Sequence, residues 1–98
     1  MYSQLYFISF VGKIYVDKGG CAMKTEFPDK YITLGLKIAY YRKKSGYTQE
    51  VFAELIGKSV NFVAQVEGTG TVRGVSLETL FKIAQILNIS PSKLLEDD

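Results

Sequence analysis

The stretch TQEVFAELIGKSVNFVAQVE, residues 48–67, predicts two short helices separated by a tight corner. Thr48 can cap the first helix, whose apolar residues end at Gly57, and Ser59 can cap the second. Glycine at the corner permits a backbone conformation that other residues resist. Two short helices joined by the brief link at residues 56–58 have the spacing of a helix-turn-helix, a corner that many helical bundles contain.

Upstream of this corner, the sequence predicts a longer first helix. Leu34, Ile38 and Tyr41 recur at the spacing of one helix face, which marks them as candidates for the core. Gly46 is placed to end the helix. The last turn before it is basic, which suits the negative end of the helix dipole.

Downstream, two more helices are predicted after a loop rich in Gly and Thr. Ser76 can cap a fourth helix that closes near Asn88, and its inward residues are predicted to be Leu77, Leu80, Ile83, Ala84 and Leu87. Ser90 followed by Pro91 favours a short fifth helix, because proline suits the first helical position. We expect its two leucines, Leu94 and Leu95, to pack onto the core.

The first 22 residues differ in composition from the rest. Residues 2–16, YSQLYFISFVGKIYV, are apolar and aromatic around a single charge, and the apolar run is far shorter than the roughly 20 residues of a membrane-spanning helix. One interpretation is a β-hairpin turning at Gly12 and Lys13, packed on the helices or on a second subunit. The other is leader sequence translated ahead of a native start at Met23. We expect an appendage at residues 1–22 and a helical domain at residues 28–98.

Composition excludes several kinds of chemistry. A chain of 98 residues has room for one small domain. It has one cysteine, Cys21, and no histidine, so it lacks an intrachain disulfide, the commonest general base and the commonest metal ligand. We therefore expect no enzyme activity, no metal, no cofactor and no small-molecule substrate.

The net charge of +2 hides an uneven distribution. Between Lys37 and Lys58, five basic residues face two acidic ones. The positive charge therefore concentrates beside the predicted corner. This local excess favours a nucleic-acid partner, whereas the net charge of the whole chain is too small to indicate one.

Two stretches together resemble the phage-repressor and Cro-like (XRE) helix-turn-helix family. They are LGLKIAYYRKKSGYTQEVFAELIGKSVNFVAQVE at residues 34–67 and VSLETLFKIAQILNISPSKLL at residues 75–95. The matching marks are Leu34-Gly35, Ile38, Arg42, Gly46, Thr48-Gln49, Ala53, Gly57, Ser59, Val63, Val66-Glu67 and the run at residues 76–80. The resemblance implies an all-α, five-helix repressor-like bundle whose second and third helices form a DNA-reading corner.

The resemblance also implies a function: a cytoplasmic, sequence-specific transcriptional regulator, a repressor that binds double-stranded DNA as a homodimer. The third helix, from about Ser59 to Glu67, is then the recognition helix in the major groove. Its base-reading residues are expected to be Val60, Asn61 and Gln65, since Asn and Gln amides match the N6/N7 edge of adenine. Phosphate contacts are expected from Gln49, Ser59, Lys58, Arg42, Thr69 and Arg73. Glu67 is expected to be structural, and Phe62 to lie in the core or an interface.

One departure from the family pattern keeps an alternative open. The third helix carries no Lys or Arg between Ser59 and Glu67, although phosphate contacts supply most non-specific DNA affinity. The alternative is a protein-interaction module or antitoxin-like protein with the same fold and a protein partner. In that case the partner would bind to Phe62 and the apolar residues of the third helix, or to the N-terminal hairpin.

Overall fold

The computed structural model describes residues 24–97, so the predicted hairpin and the appendage at residues 1–22 lie outside it. Within this part of the chain there are five α helices and no strand. They are α1 (Pro28–Lys44), α2 (Gln49–Ile56), α3 (Val60–Glu67), α4 (Leu77–Leu87) and α5 (Pro91–Leu95). The predicted all-α, five-helix architecture is confirmed, whereas the division at residues 1–22 and 28–98 stays a prediction.

Four helices begin at the hydroxyl caps that the sequence predicts. In each case the cap oxygen accepts a hydrogen bond from a backbone N–H two or three residues further on, at 3.0–3.3 Å. Such a bond satisfies one of the N–H groups that a helix leaves without an internal partner. The caps are Thr48, Ser59, Ser76 and Ser90. Helix α1 instead starts with proline at its first position, after Phe27.

Two helices end at residues in the left-handed backbone region. Gly57 closes α2 with φ of 73°, and Asn88 closes α4 with φ of 58°. Glycine adopts this conformation without a side-chain clash, and asparagine is among the few other residues that tolerate it. Both helix ends therefore lie where the sequence predicts them.

All five helices contribute to a single apolar core. Phe52 of α2 is its largest member, and Phe52 and Ile38 of α1 each have 1% of their surface exposed. Burying a side chain of this size stabilises the fold by about 1.5–3 kcal/mol. The other buried members are Leu34, Ala53, Ile56, Val63, Val66, Leu80, Ile83, Ala84, Leu87 and Leu94.

For two residues, the prediction that they lie in the core is wrong. Leu77 and Leu95 are 65% and 60% exposed, respectively. Leu77 is the first residue of α4 and Leu95 the last of α5, so both lie at the rim of the bundle. With Phe27 they line an open cavity of about 320 Å³ beside the start of α1. Helical spacing predicted both as inward residues, but at the ends of their helices they stay open to solvent.

Candidate nucleic-acid interface

Helices α2 and α3 form the predicted corner. The left-handed Gly57 turns the chain at the end of α2, and Lys58 N–H donates to the Ala53 carbonyl at 2.9 Å. Ser59 then caps α3 by accepting from the Phe62 N–H at 3.0 Å. Turn and cap are therefore fixed by local hydrogen bonds, which set the direction in which α3 leaves the corner.

The inner face of α3 packs very closely against α1. Val63 and Val66 are buried, with 1% and 6% of their surfaces exposed. Opposite them lies Gly35 of α1, where an added Cβ would lie 1.9 Å from the Val66 carbonyl oxygen. Any side chain at this position would push the two helices apart. Gly35 therefore sets how closely α3 approaches the rest of the bundle.

A buried polar network fixes the end of α3. Arg42 Nε and Nη2 donate to the two carboxylate oxygens of Glu67 at 2.7 and 3.0 Å, and Arg42 Nη1 donates to the Tyr47 carbonyl. The Gln49 amide nitrogen also donates to Glu67 Oε1, at 2.9 Å. The two-pronged arrangement matches the planar guanidinium to the carboxylate and ties α1, α2 and α3 together.

This network corrects the predicted role of Arg42. Its side chain was expected to contact a DNA phosphate, but the residue is 6% exposed and its guanidinium is held by Glu67 and Tyr47. Releasing it to solvent would leave the Glu67 carboxylate buried without its counter-charge. Arg42 therefore holds the corner together from inside. The structural role expected of Glu67 agrees with this geometry.

The outer face of α3 carries the three residues predicted to read bases. Val60 is 43% exposed and Asn61 is exposed, whereas Gln65 is half-buried. Ala64, which has a small side chain, is also exposed and lies between Asn61 and Gln65 in the sequence. All three predicted residues are more exposed than Val63 and Val66, which pack toward α1. Their reading role stays a prediction.

The remaining candidates for phosphate contact surround the two ends of α3. Lys58 and Ser59 are exposed at its start, and Thr69 is exposed just beyond its end. Arg73 is half-buried in the following loop, with its guanidinium carbon 5.0 Å from the centre of the Phe62 ring. Gln49 is half-buried at the start of α2 and shares its amide with Glu67.

Two features of this region could not be read from local sequence. The tight contact at Gly35 depends on which backbone lies opposite, although a glycine inside a helix, where it costs about 1 kcal/mol, is a signal of close packing. The second is Phe62, which lies near two cations from separate segments. The four-residue spacing from Lys58 to Phe62 was the available signal for one of these contacts.

Two other features, a metal-binding cluster and a membrane-spanning helix, are absent from the described part of the chain. Residues 24–97 contain no group of three or more Cys, Asp or Glu side chains arranged to hold a metal ion. No helix within them combines the length and apolar character needed to cross a membrane.

Comparison with known proteins gives a family match and a curated relative. The helix-turn-helix family matches residues 38–94. YazB of Bacillus subtilis (strain 168), an uncharacterized HTH-type transcriptional regulator, is 35% identical over 60 residues, covering 61% of this chain and 84% of YazB.

Solved structures extend the similarity to the fold. The restriction-modification controller protein C.AhdI from Aeromonas hydrophila is 32% identical with a TM-score of 0.61, and the match covers 67% of this chain and 97% of C.AhdI. The P22 c2 repressor, solved in complex with a synthetic operator, is 29% identical with a TM-score of 0.58. That match covers 66% of this chain and 96% of the repressor chain.

Proposed function

The chain belongs to the helix-turn-helix family of DNA-binding transcriptional regulators, and on this premise we propose that it is a sequence-specific repressor. It binds double-stranded DNA as a homodimer and reads the major groove with α3. Proteins of this family bind DNA and are not enzymes, which confirms the expectation that the chain is not an enzyme.

The observation that carries the proposal is the contrast between the two faces of α3. The inner face is fixed by Val63, Val66 and the Glu67 network, so the helix has one orientation. The outer face presents Val60, Asn61 and Gln65 on a rigid support. Base reading needs amide groups held in a defined position, since a well-placed bidentate pair discriminates by about 1–3 kcal/mol.

Phosphate contacts are assigned to groups at the two ends of α3. Lys58 and Ser59 lie at its start, where the helix dipole favours an anion, and Thr69 and Arg73 follow its end. Gln49 lies at the start of α2 and can hold a phosphate through its second amide hydrogen and the helix N-terminus. These contacts position the protein on the duplex and carry no sequence information themselves.

Exposed apolar side chains support the homodimer. Leu77 and Phe81, one turn apart on α4, are 65% and 53% exposed, and Leu95 of α5 is 60% exposed. We assign this face to a second copy of the chain. A two-fold dimer would place two α3 helices about one duplex turn, roughly 34 Å, apart and so match a palindromic site.

The test is a binding titration with the full chain. Duplexes are first selected from a random library, and fluorescence anisotropy then compares a selected duplex with a shuffled one at several salt concentrations. We expect preference for the selected duplex and a linear fall of log K with log salt. Binding that ignores both sequence and salt would overturn the proposal.

Variants then test which side chains read the bases. Asn61→Ala combined with Gln65→Ala should reduce the preference for the selected duplex by about tenfold or more, given about 1–3 kcal/mol for each good pair. Gln85→Ala is the matched control, because Gln85 is an exposed amide on α4. Unchanged preference in the Asn61 and Gln65 variant would contradict base reading and favour the protein-interaction alternative.

A further inference from the structure

Phe62 lies close to two positively charged side chains from different segments. Lys58 Nζ is 5.5 Å from the centre of the Phe62 ring, and the Arg73 guanidinium carbon is 5.0 Å from it. Cations within about 6 Å of an aromatic ring centre are attracted by the electron density of its face. Lys58 precedes α3 and Arg73 lies in the loop that follows it, so one ring brings together charges from both ends of the recognition helix.

The ring has a fixed position from which to do this. Phe62 is the third residue of α3, its N–H donates to the Ser59 cap, and its side chain is half-buried against the core. Lys58 and Arg73 carry long side chains that lose much rotamer freedom when they are ordered. A ring that already confines them lowers the entropy lost when they engage a ligand.

Arg73 is the more constrained of the two cations. Its Nε is buried and has no hydrogen-bond partner among the described residues. A buried donor without a partner is unfavourable, and the attraction of the guanidinium to the Phe62 ring offsets part of this cost.

We propose that Phe62 is a positioning residue for DNA binding, which holds the Lys58 ammonium and the Arg73 guanidinium each within about 6 Å of its ring centre so that both neutralise phosphates of one stretch of DNA backbone. This inference rests on the proposed function. It also explains how α3 can serve as a recognition helix with no Lys or Arg of its own. Lys58 before the helix and Arg73 after it supply the positive charge, and the Phe62 ring orders both side chains.

The first experiment measures salt dependence with three full-length proteins: wild type, Phe62→Leu and Phe62→Tyr. Leucine keeps an apolar side chain but removes the aromatic face, whereas tyrosine keeps the ring. Each phosphate contact contributes about 0.9 to the slope of log K against log salt. We expect Phe62→Leu to lower this slope by about 1–2 and the affinity for the selected duplex by about 5–30-fold, and Phe62→Tyr to match wild type.

A second set of variants compares the effect of Lys58→Ala in the wild-type and Phe62→Leu backgrounds. Lys58→Ala should reduce the slope in wild type but have a much smaller effect in the Phe62→Leu background, because the ring no longer holds Lys58 in place. Lys93→Ala on α5, an exposed lysine far along the chain from α3, should leave the slope unchanged. Equal effects of Lys58→Ala in both backgrounds would overturn the inference.

A second measurement needs no variant to fold and no DNA. In the wild-type protein, NMR should show the side-chain methylene protons of Lys58 and Arg73 shifted upfield by the ring current of Phe62. Absence of these shifts overturns the inference whether or not DNA binds. A wild type that binds DNA in a salt-dependent manner, together with a folded Phe62→Leu of unchanged slope, overturns the inference and leaves the proposed function standing. Wild-type DNA binding that depends on neither sequence nor salt would overturn both the inference and the proposed function.

Discussion

The two faces of α3 differ in how firmly the rest of the molecule fixes them. On the inner face, Val66 lies directly against Gly35, and Glu67 is held by two charge-assisted hydrogen bonds from Arg42. On the outer face, Val60 is 43% exposed and Asn61 is exposed. A helix of eight residues thus has one face that supports it and an exposed face to which we assign base reading. Substitutions on the inner face should cost stability, whereas those on the outer face should change DNA binding.

The largest expected effect comes from breaking the buried ion pair. Arg42→Met leaves the Glu67 carboxylate buried with Gln49 as its remaining partner, and removing one member of such a pair costs about 3–5 kcal/mol. Small domains have a total stability of about 5–15 kcal/mol, so much of the fold's stability is lost. Urea unfolding followed by circular dichroism measures the change.

Two further variants sharpen this result. Removing both charges, with Glu67→Leu added to Arg42→Met, should recover most of the loss, because no buried charge then remains unpaired. Lys30→Met breaks an ion pair of similar length, 2.9 Å between Lys30 Nζ and Asp97, but its side chains are 67% and 80% exposed. The hydrogen bond from Lys30 lowers the pKa of Asp97, yet solvent screens the pair and no measurable loss is expected. An Arg42→Met protein as stable as wild type would remove the distinction between the two faces.

The next effect tests the contact between α1 and α3. Gly35→Ala would place a Cβ 1.9 Å from the Val66 carbonyl oxygen, so the helices must separate. Alanine is better than glycine in a helix by about 1 kcal/mol, yet we expect a net loss of about 3 kcal/mol, at the upper end of the usual range for overpacking.

A matched glycine controls for the change of residue type. Gly70→Ala introduces the same methyl group at a position with no atom within 4 Å, and its free energy of unfolding should stay near that of wild type. The comparison is made by chemical unfolding of both variants. If Gly35→Ala were as stable as Gly70→Ala, the close approach of the two helices would not be what fixes α3.

Local features of the sequence predicted most of the fold. Ser59 as a cap, Gly57 as a left-handed helix end and the apolar spacing of Val63 and Val66 each depend on residues within a few positions of one another. Such short-range chemistry is sufficient to define helices and their inner faces. The order and number of helices followed from these signals.

Features that depend on distant segments were not predictable in the same way. Arg42 lies in a basic last turn typical of a solvated helix end, but its partner Glu67 is 25 residues away. Leu77 has the spacing of an inward residue, but it is the first residue of α4 and stays 65% exposed at the rim of the bundle. Helical spacing identifies which face a residue is on, and tertiary packing decides what that face meets.

Substitution of Ser59 should show the smallest effect, because this residue combines a supporting role with a candidate role in DNA contact. Its hydroxyl caps α3 through the Phe62 N–H and is also the candidate for a DNA contact. Ser59→Ala should lower the free energy of unfolding by about 1 kcal/mol through loss of the cap. It should also lower DNA affinity, by several fold, at temperatures where the protein remains folded, because the phosphate or base edge loses its hydroxyl partner.

The matched control is another serine cap. Ser76→Ala removes the cap of α4, whose hydroxyl accepts from the Thr79 N–H at 3.1 Å and donates to the buried Thr79 hydroxyl at 3.0 Å, so its loss of stability should be at least as large. Its DNA affinity should equal that of wild type, because α4 lies outside the helix-turn-helix formed by α2 and α3. Unfolding and anisotropy titrations of the two variants separate the roles. Equal affinities of Ser59→Ala and Ser76→Ala for the selected duplex would assign Ser59 entirely to the support of α3, and the reading face would then begin at Val60.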